Sequence, residues 1–187
     1  FAVAARAKPT FERVMRGMAI GAELNPDAEV RFEGKPLPID SKHAPGDLFK
    51  RLTFAPPKGK PRCVQKIKEE YGGQACRLVD VVRCSVVVDT EKQLIAVAEA
   101  LARGGAGSVT LEDGTIKTAD GDVYEVVRLK NRFAHPLFNG YRDALYSVRV
   151  LVEPGVWHVC EMQLHLAAVI AHKEHTHVYY EFFRSHF

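Results

Sequence analysis

Two carboxylates set in apolar stretches carry the chemistry that this sequence can offer. Asp80 heads the run DVVRCSVVV (80–88), and Glu161 lies inside WHVCEMQLH (157–165). An ionised carboxylate buried alone among aliphatic side chains is expensive, so each asks for a cation or a metal. Cations flank both stretches: Lys60, Arg62 and Lys66 before the first, then Arg128, Lys130, Arg132 and Arg142 before the second. Carboxylates on adjacent strands are one way to hold Mg²⁺, a hard cation that takes oxygen ligands and brings phosphates with it. Cations for phosphates and an aromatic for a base, Tyr141 directly after Asn139 and Gly140, complete the description of a nucleotide site. The plainer alternative is that Asp80 and Glu161 form ordinary salt bridges with Arg83 and Arg149.

Those residues need elements to hold them. Tyr146–Val152 and Trp157–His165 are rich in β-branched and aromatic residues and are separated by Glu153, Pro154 and Gly155, which predicts an antiparallel hairpin. On its second strand Val159, Glu161 and Gln163 share one face, and Cys160, Met162 and Leu164 share the other. Val81–Val88 reads as a central strand covered on both faces, with Asp80 and the run that follows it deep in the sheet. A basic helix is predicted from Pro61 to Gly72 and Gly73, and a second, capped by Thr90, over Glu91–Arg103. The spacing of Phe11, Val14, Met15, Met18 and Ala22 predicts a helix over 10–24, with Phe1–Pro9 a loose basic lead. Residues 29–62 read as a loop-dominated connection with one short helix near Asp47–Leu52. GGAGS (104–108) lacks the Lys-Ser/Thr of a phosphate loop and reads as a turn. Residues 109–128 give short strands, and Leu164–Phe183 a long closing helix.

The expected fold class is α+β, a mixed sheet flanked by helices. One compact domain is expected, with residues 1–59 as an N-terminal helix and loop-rich cover and 60–187 as the core. A net charge of +3 is too small to indicate bulk polyanion binding. Cys63, Cys76, Cys84 and Cys160 are dispersed without C-x-x-C, and read as reduced, mostly buried thiols in a cytoplasmic protein. No apolar run approaches a membrane span. The chain opens on Phe rather than Met and reads as an excised piece, with any targeting signal upstream of it. His165, His172, His175 and His177 lack the H-E-x-x-H or cysteine partners of a zinc site and read as ordinary polar positions. Trp157 and the Phe182–Phe183 pair read as core or closing contacts.

The ordered set of a basic helix, Asp80 with its apolar strand, K-x-R…NGY at 130–141, and E-x-Q at Glu161 and Gln163 resembles the RelA/SpoT-type alarmone synthetase domain, over about Lys60 to Arg184. The resemblance implies a nucleotidyltransferase-like fold that transfers the pyrophosphate of ATP to the 3′-hydroxyl of an acceptor nucleotide and releases AMP. It implies that Asp80 binds Mg²⁺ and that Glu161 binds the metal or acts as general base. Tyr141 would stack on the acceptor base, Arg62 and Lys66 would hold the ATP phosphates, and Lys130 and Arg132 those of the acceptor. Lys60, Arg83, Asn139, Arg142 and Gln163 complete the implied nucleotide-binding set. The chain departs from the family pattern at Ser85, where an Arg is usual, and at Arg142-Asp143-Ala144-Leu145, where a Ser and a His are missing. It departs again at His165, where a cation usually follows E-x-Q. Three functions follow: synthesis of a (p)ppGpp- or (p)ppApp-type product from GDP, GTP or an adenine nucleotide; pyrophosphorylation of a tRNA 3′ end, as in toxin-like relatives; or a nucleotide-binding or interaction module without activity.

Overall fold

The computed structural model describes residues 1–24, 31–32, 35–36 and 51–171. The chain begins with α1 (Ala2–Leu24), followed by a separate antiparallel pair, β1 (Arg31–Phe32) and β2 (Lys35–Pro36). Next come β3 (Leu52–Phe54), α2 (Lys60–Tyr71), a 3₁₀ turn (Ala75–Arg77), β4 (Arg83–Val88) and α3 (Glu91–Arg103). The two-residue strands β5 (Val109–Thr110) and β6 (Ile116–Lys117) precede β7 (Val123–Asn131), β8 (Ala144–Glu153), β9 (Val156–Leu166) and α4 (Ala167–Ile170). Among the described residues seven strands make one mixed sheet in the order β3-β4-β9-β8-β7-β6-β5, in which only β4 and β9 run parallel. The mixed α+β class and the 146–165 hairpin agree with the sequence.

Helices cover one face of this sheet. Cys84, Val86 and Val88, Val148 and Val150, and Cys160, Met162 and Leu164 all point into a core shared with Phe11, Met15 and Met18 of α1 and Val97 and Leu101 of α3. The Tyr124 hydroxyl donates to the Leu101 carbonyl at 2.8 Å, tying β7 to α3 inside that core. The helix ends follow their local chemistry. Thr90 and Gln93 form a capping box at the start of α3, and Gly72, at φ 56°, closes α2 in the left-handed region.

Four expectations change. Phe1–Pro9 is not loose, because α1 starts at Ala2 and contains Pro9. Its alanine-rich opening favours helix, and Ala4 and Ala7 continue the buried stripe of Phe11, Val14, Met15 and Met18, which outweighs the hydrogen bond that Pro9 cannot donate. The strand expected over Val81–Val88 begins at Arg83, lies second from the sheet edge and alternates buried with half-buried residues, so only its Cys84-Val86-Val88 face is covered. Leu52 begins a strand rather than ending a helix, Arg51 before it is a turn, and positions 47–50 of that expected helix lie outside the described residues. The closing helix starts at Ala167, since Leu164, His165 and Leu166 continue β9; its stretch beyond residue 171 lies outside the described residues, with His172, His175, His177 and Phe182–Phe183.

The glycine-rich turn does more than reverse the chain. A Cβ on Gly105 would stand 2.5 Å from the Gly17 carbonyl oxygen, so α1 seats its backbone directly on the turn. A Gly105→Ala substitution is expected to destabilise the protein by about 2 kcal/mol, since backbone on both sides must give way. A Cβ on Gly17 meets nothing within 4 Å, so Gly17→Ala should hold stability or raise it by up to about 1 kcal/mol. Urea unfolding of both variants checks the pair, and equal midpoints for the two would contradict the close approach.

Candidate active site

The sheet face turned away from α1 and α3 carries the polar residues. The register puts Arg83 opposite Glu161, Glu161 opposite Ser147, and Ser147 opposite Arg128, so these four side chains make one row across β4, β9, β8 and β7. The next row is Ser85, Gln163, Leu145 and Lys130. Gln163 donates its amide N–H to Glu161 Oε1 at 2.7 Å and so orients the carboxylate. A β-bulge between Val126 and Arg128 makes the second half of each row possible. Strict alternation from buried Tyr124 would turn Arg128 and Lys130 into the core; the extra residue, Val127, turns them onto the open face. Lys130 stands in a crowded field. Burial and the neighbouring Arg128 and Arg132 push its pKa down, Glu161 opposes them, and Lys66 adds to the lowering.

Asp80 precedes β4 instead of lying within it. The strict alternation that would set it opposite to Arg83 therefore does not apply, and no bulge is needed there. It is 7% exposed, and its Oδ2 pairs with the ammonium groups of Lys66, at 2.8 Å, and of Lys58. Burial alone would raise its pKa, but hydrogen bonds and charge from Lys58 and Lys66 reverse this and hold it below the usual carboxylate value. Neither salt bridge offered by the plainer sequence reading forms. Asp80 takes lysines instead of Arg83, and Arg149 pairs with Glu125. Lys58, Arg62, Lys66, Asp80 and Arg83 line a polar cleft of about 540 Å³, together with Glu70 and the 56–59 backbone turn. Arg83 belongs to both the cleft and the Glu161 row. The Glu161 N–H also donates to the Val82 carbonyl at 2.9 Å, so the segment that follows Asp80 is tied to β9 at Glu161.

The loop between β7 and β8 is folded on itself. Arg132 N–H donates to the Asp143 carbonyl at 2.8 Å, and its guanidinium pairs with the Asp143 carboxylate at 3.0 Å. Arg142 donates to the Phe133 carbonyl, and Asn139 Oδ1 accepts from the Tyr141 N–H at 3.1 Å. Tyr141 Oη lies 3.1 Å from His165 Nδ1. Burial pushes the Tyr141 hydroxyl up to about 12, with Asp143 adding to the rise.

Of the residues singled out by sequence, Asp80, Arg62, Lys66 and Arg83 gather at the cleft, and Glu161, Gln163 and Lys130 on the open face. Tyr141 reaches that face through His165. Arg132, Asn139 and Arg142 hold the loop. Lys60 opens α2 and does not line the cleft. Trp157, read as a core or closing contact, lies by alternation on the Glu161 face, half-buried beneath the Arg149 guanidinium 4.5 Å from its ring centre. Lys58 was missed, hidden in a stretch (APPKGKP) whose prolines and glycine say loop; a cation set between them ahead of a helix was the available signal. Ser147 was missed too, though it is the polar residue facing Glu161 in an alternating strand.

No protein-family model and no curated protein matches the chain. Solved structures do. A GTP pyrophosphokinase family protein from Streptococcus pneumoniae superposes with a TM-score of 0.57 at 12% identity, over 100% of this chain and 75% of that one. Small alarmone synthetase 1 from Bacillus subtilis gives 0.56 at 15%, over 93% and 76%. The same synthetase bound to its product pppGpp gives 0.50 at 16%, over 68% of this chain and 62% of that one, less than two thirds of its length. At these identities the likeness is one of fold.

The lysine pair on Asp80 has a consequence for stability. A carboxyl held below its unfolded pKa stabilises the fold above that value, and the contribution is lost as pH falls through the folded pKa. Asp80→Asn should therefore flatten the acid side of the stability profile below about pH 4. It should also lower stability at pH 7 by about 2 kcal/mol, because Lys58 and Lys66 stay half-buried without their counter-charge. Urea midpoints from pH 2.5 to 7 test both, and parallel profiles for the two proteins would contradict the pairing.

Proposed function

From a chain that folds as the RelA/SpoT-type alarmone synthetases do, we propose an ATP-dependent pyrophosphokinase that transfers the pyrophosphate of ATP to the 3′-hydroxyl of an acceptor nucleotide. One observation carries the reading: Arg83 joins a cation-lined cleft holding Asp80 to the row that holds Glu161. A triphosphate has a charged cleft at one end of this arrangement, and a hydroxyl nucleophile meets a carboxylate at the other. No helix among the described residues is long and apolar enough to cross a membrane.

In the proposed reaction the acceptor 3′-oxygen attacks the β-phosphorus of ATP. The bond from that phosphorus to the oxygen bridging to the α-phosphate breaks, and AMP leaves. Glu161 takes the proton from the 3′-hydroxyl, with Gln163 fixing the carboxylate that receives it. Arg62, Lys66, Arg83 and Lys58 neutralise the donor phosphates, and Lys130 with Arg128 those on the acceptor side. Phosphoryl transfer asks a protein mainly for this kind of positioning and charge. Asp80 and Glu161 would hold Mg²⁺. Asp80 Oδ1 is buried with no hydrogen-bond partner among the described residues, an open oxygen ligand that suits an ion keeping phosphates and water in its shell. When bound, the metal would supply further charge neutralisation at the transferring phosphates.

A second reading, a nucleotide-binding module without activity, is favoured by the two lysines already on Asp80, which a metal would have to displace or share with. Incubation with Mg²⁺, γ-labelled ATP and, separately, GDP, GTP, AMP, ADP or bulk tRNA decides between them. Label should move to one nucleotide with release of AMP, and Glu161→Gln should slow transfer about 10²–10⁴-fold. ATP binding without transfer to any acceptor would favour the binding module, and label on tRNA alone would make RNA the substrate.

A further inference from the structure

His165 occupies a place that the reaction so far leaves unused. It lies two residues beyond Gln163 and four beyond Glu161, so alternation along β9 puts all three side chains on one face. Glu161 and Gln163 are half-buried, whereas His165 is 1% exposed. The polar sheet face is therefore closed over at this point, about 13 Å along the strand from Glu161 at ~3.3 Å per residue. Tyr141 meets it there, with Oη 3.1 Å from Nδ1.

The rest of Tyr141 is held as well. Its N–H donates to Asn139 Oδ1, and its carbonyl accepts from the Leu137 N–H at 3.1 Å. Gly140, at φ 77°, makes the reversal that returns the chain, and its N–H donates to the Leu137 carbonyl at 2.8 Å. Asp143 and Arg132 clamp the two ends of the loop. These contacts fix where the Tyr141 backbone lies. The contact to His165 fixes the far end of the ring. Burial keeps the Tyr141 hydroxyl protonated, and it donates to Nδ1 when the imidazole carries its own proton on Nε2.

We propose that His165 is a positioning residue for the acceptor: it holds the Tyr141 ring on the Glu161 face as a preset surface on which the acceptor base stacks. This rests on the pyrophosphokinase reading for the identity of the acceptor. The physical gain is preorganisation. A ring already held in its bound orientation loses less freedom when the base arrives, and the difference appears in acceptor affinity.

Four variants test this: His165→Leu, which removes the hydrogen-bond acceptor; His165→Asn, whose side-chain oxygen can receive the Tyr141 hydroxyl; Tyr141→Phe; and the His165→Leu/Tyr141→Phe double. Steady-state kinetics with varied GDP and varied ATP, and calorimetric binding of GDP and of AMP without ATP, are measured for each. His165→Leu should raise the acceptor KM and the matching dissociation constant about tenfold, with the ATP KM unchanged within twofold. Tyr141→Phe should do the same, and the double variant should be no worse than either single one, because one interaction is lost in all three. His165→Asn should recover most of the loss. An acceptor KM that His165→Leu leaves unchanged, or one that rises together with the ATP KM, overturns the proposal. If the unsubstituted protein binds GDP or AMP without transferring label, the pyrophosphokinase reading fails, and the ratio of dissociation constants still decides the role of His165. Binding of neither nucleotide overturns both.

Discussion

The parallel pairing of β4 with β9 is the constraint on which the rest of the site depends. Among the described strands it is the one parallel contact, and its register puts Arg83 level with Glu161 and Ser85 level with Gln163. A slip of one residue would turn the Cys84-Val86-Val88 face outward and Arg83 inward, exchanging a full apolar stripe for buried charge. The apolar face therefore sets the polar one. Cys84, Val86 and Val88 against Met162 and Leu164 lock the register, and the polar row follows from it with no extra device. β8 continues the row because it pairs with β9 as a regular hairpin at Ser147. β7 continues it only through the bulge at Val127. Two rows of side chains thus cross four strands, with hydrocarbon beneath and charge above.

Charge on the open face is kept in tension rather than neutralised. At the cleft, Asp80 receives Lys58 and Lys66, while Arg62 and Arg83 line it without pairing to Asp80. On the far strand Lys130 is pushed down by burial and by Arg128 and Arg132, a state that any incoming anion relieves. Fixed cations crowded on a rigid sheet are expensive to assemble, and they stabilise phosphate charge without rearranging when it appears. The fold supplies the stability for this elsewhere, in the core shared by α1, α3 and the covered sheet face, and in the backbone contact of Gly17 with Gly105.

Much of this was legible in the sequence, and the reason lies in periodicity. Glu161 and Gln163 alternate with Cys160, Met162 and Leu164, so their common face could be read directly. Thr90 with Gln93, and Gly72 after a basic amphipathic run, announced two helix ends. Asp80 was less legible. An apolar run of 81–88 looks the same whether its first residues are strand or not, and nothing local says that pairing starts at Arg83. The uniformly β-branched stretch also suggested cover on both faces, because Val87 is as apolar as Val86, although only Val86 is enclosed. Lys58 was hidden for the opposite reason. Prolines and glycine mark a loop but do not say that the loop lines a cleft. The bulge at Val127 leaves no mark in composition. It appears only as a conflict, with Tyr124 buried and Val126 half-buried in phase with Arg128 and Lys130, which could not be buried with them.

Three of the departures from the alarmone-synthetase pattern, at Asp143, Leu145 and His165, fall on the 131–143 loop and the strands that flank it, whereas the fourth, Ser85, lies on β4 opposite Gln163. Asp143 stands near the NGY turn where a serine is usual, and it takes Arg132 as its partner. His165 stands where a cation usually follows E-x-Q, and it takes Tyr141. Asp143 closes the 131–143 loop on itself and His165 ties it to β9, and each contact involves one of the residues the family pattern would assign to the acceptor. Leu145, in place of a histidine, lies between Lys130 and Gln163 in the second row and makes that row less polar at its centre. The cleft keeps its cations, with Lys58, Arg62, Lys66 and Arg83 lining it beside Asp80 and Glu70. Divergence is therefore concentrated on the side where the acceptor would bind. On the proposed reaction this is the side where a change of acceptor would be written, because pyrophosphate transfer is common to every acceptor and only the recognition of the base and its phosphates must differ.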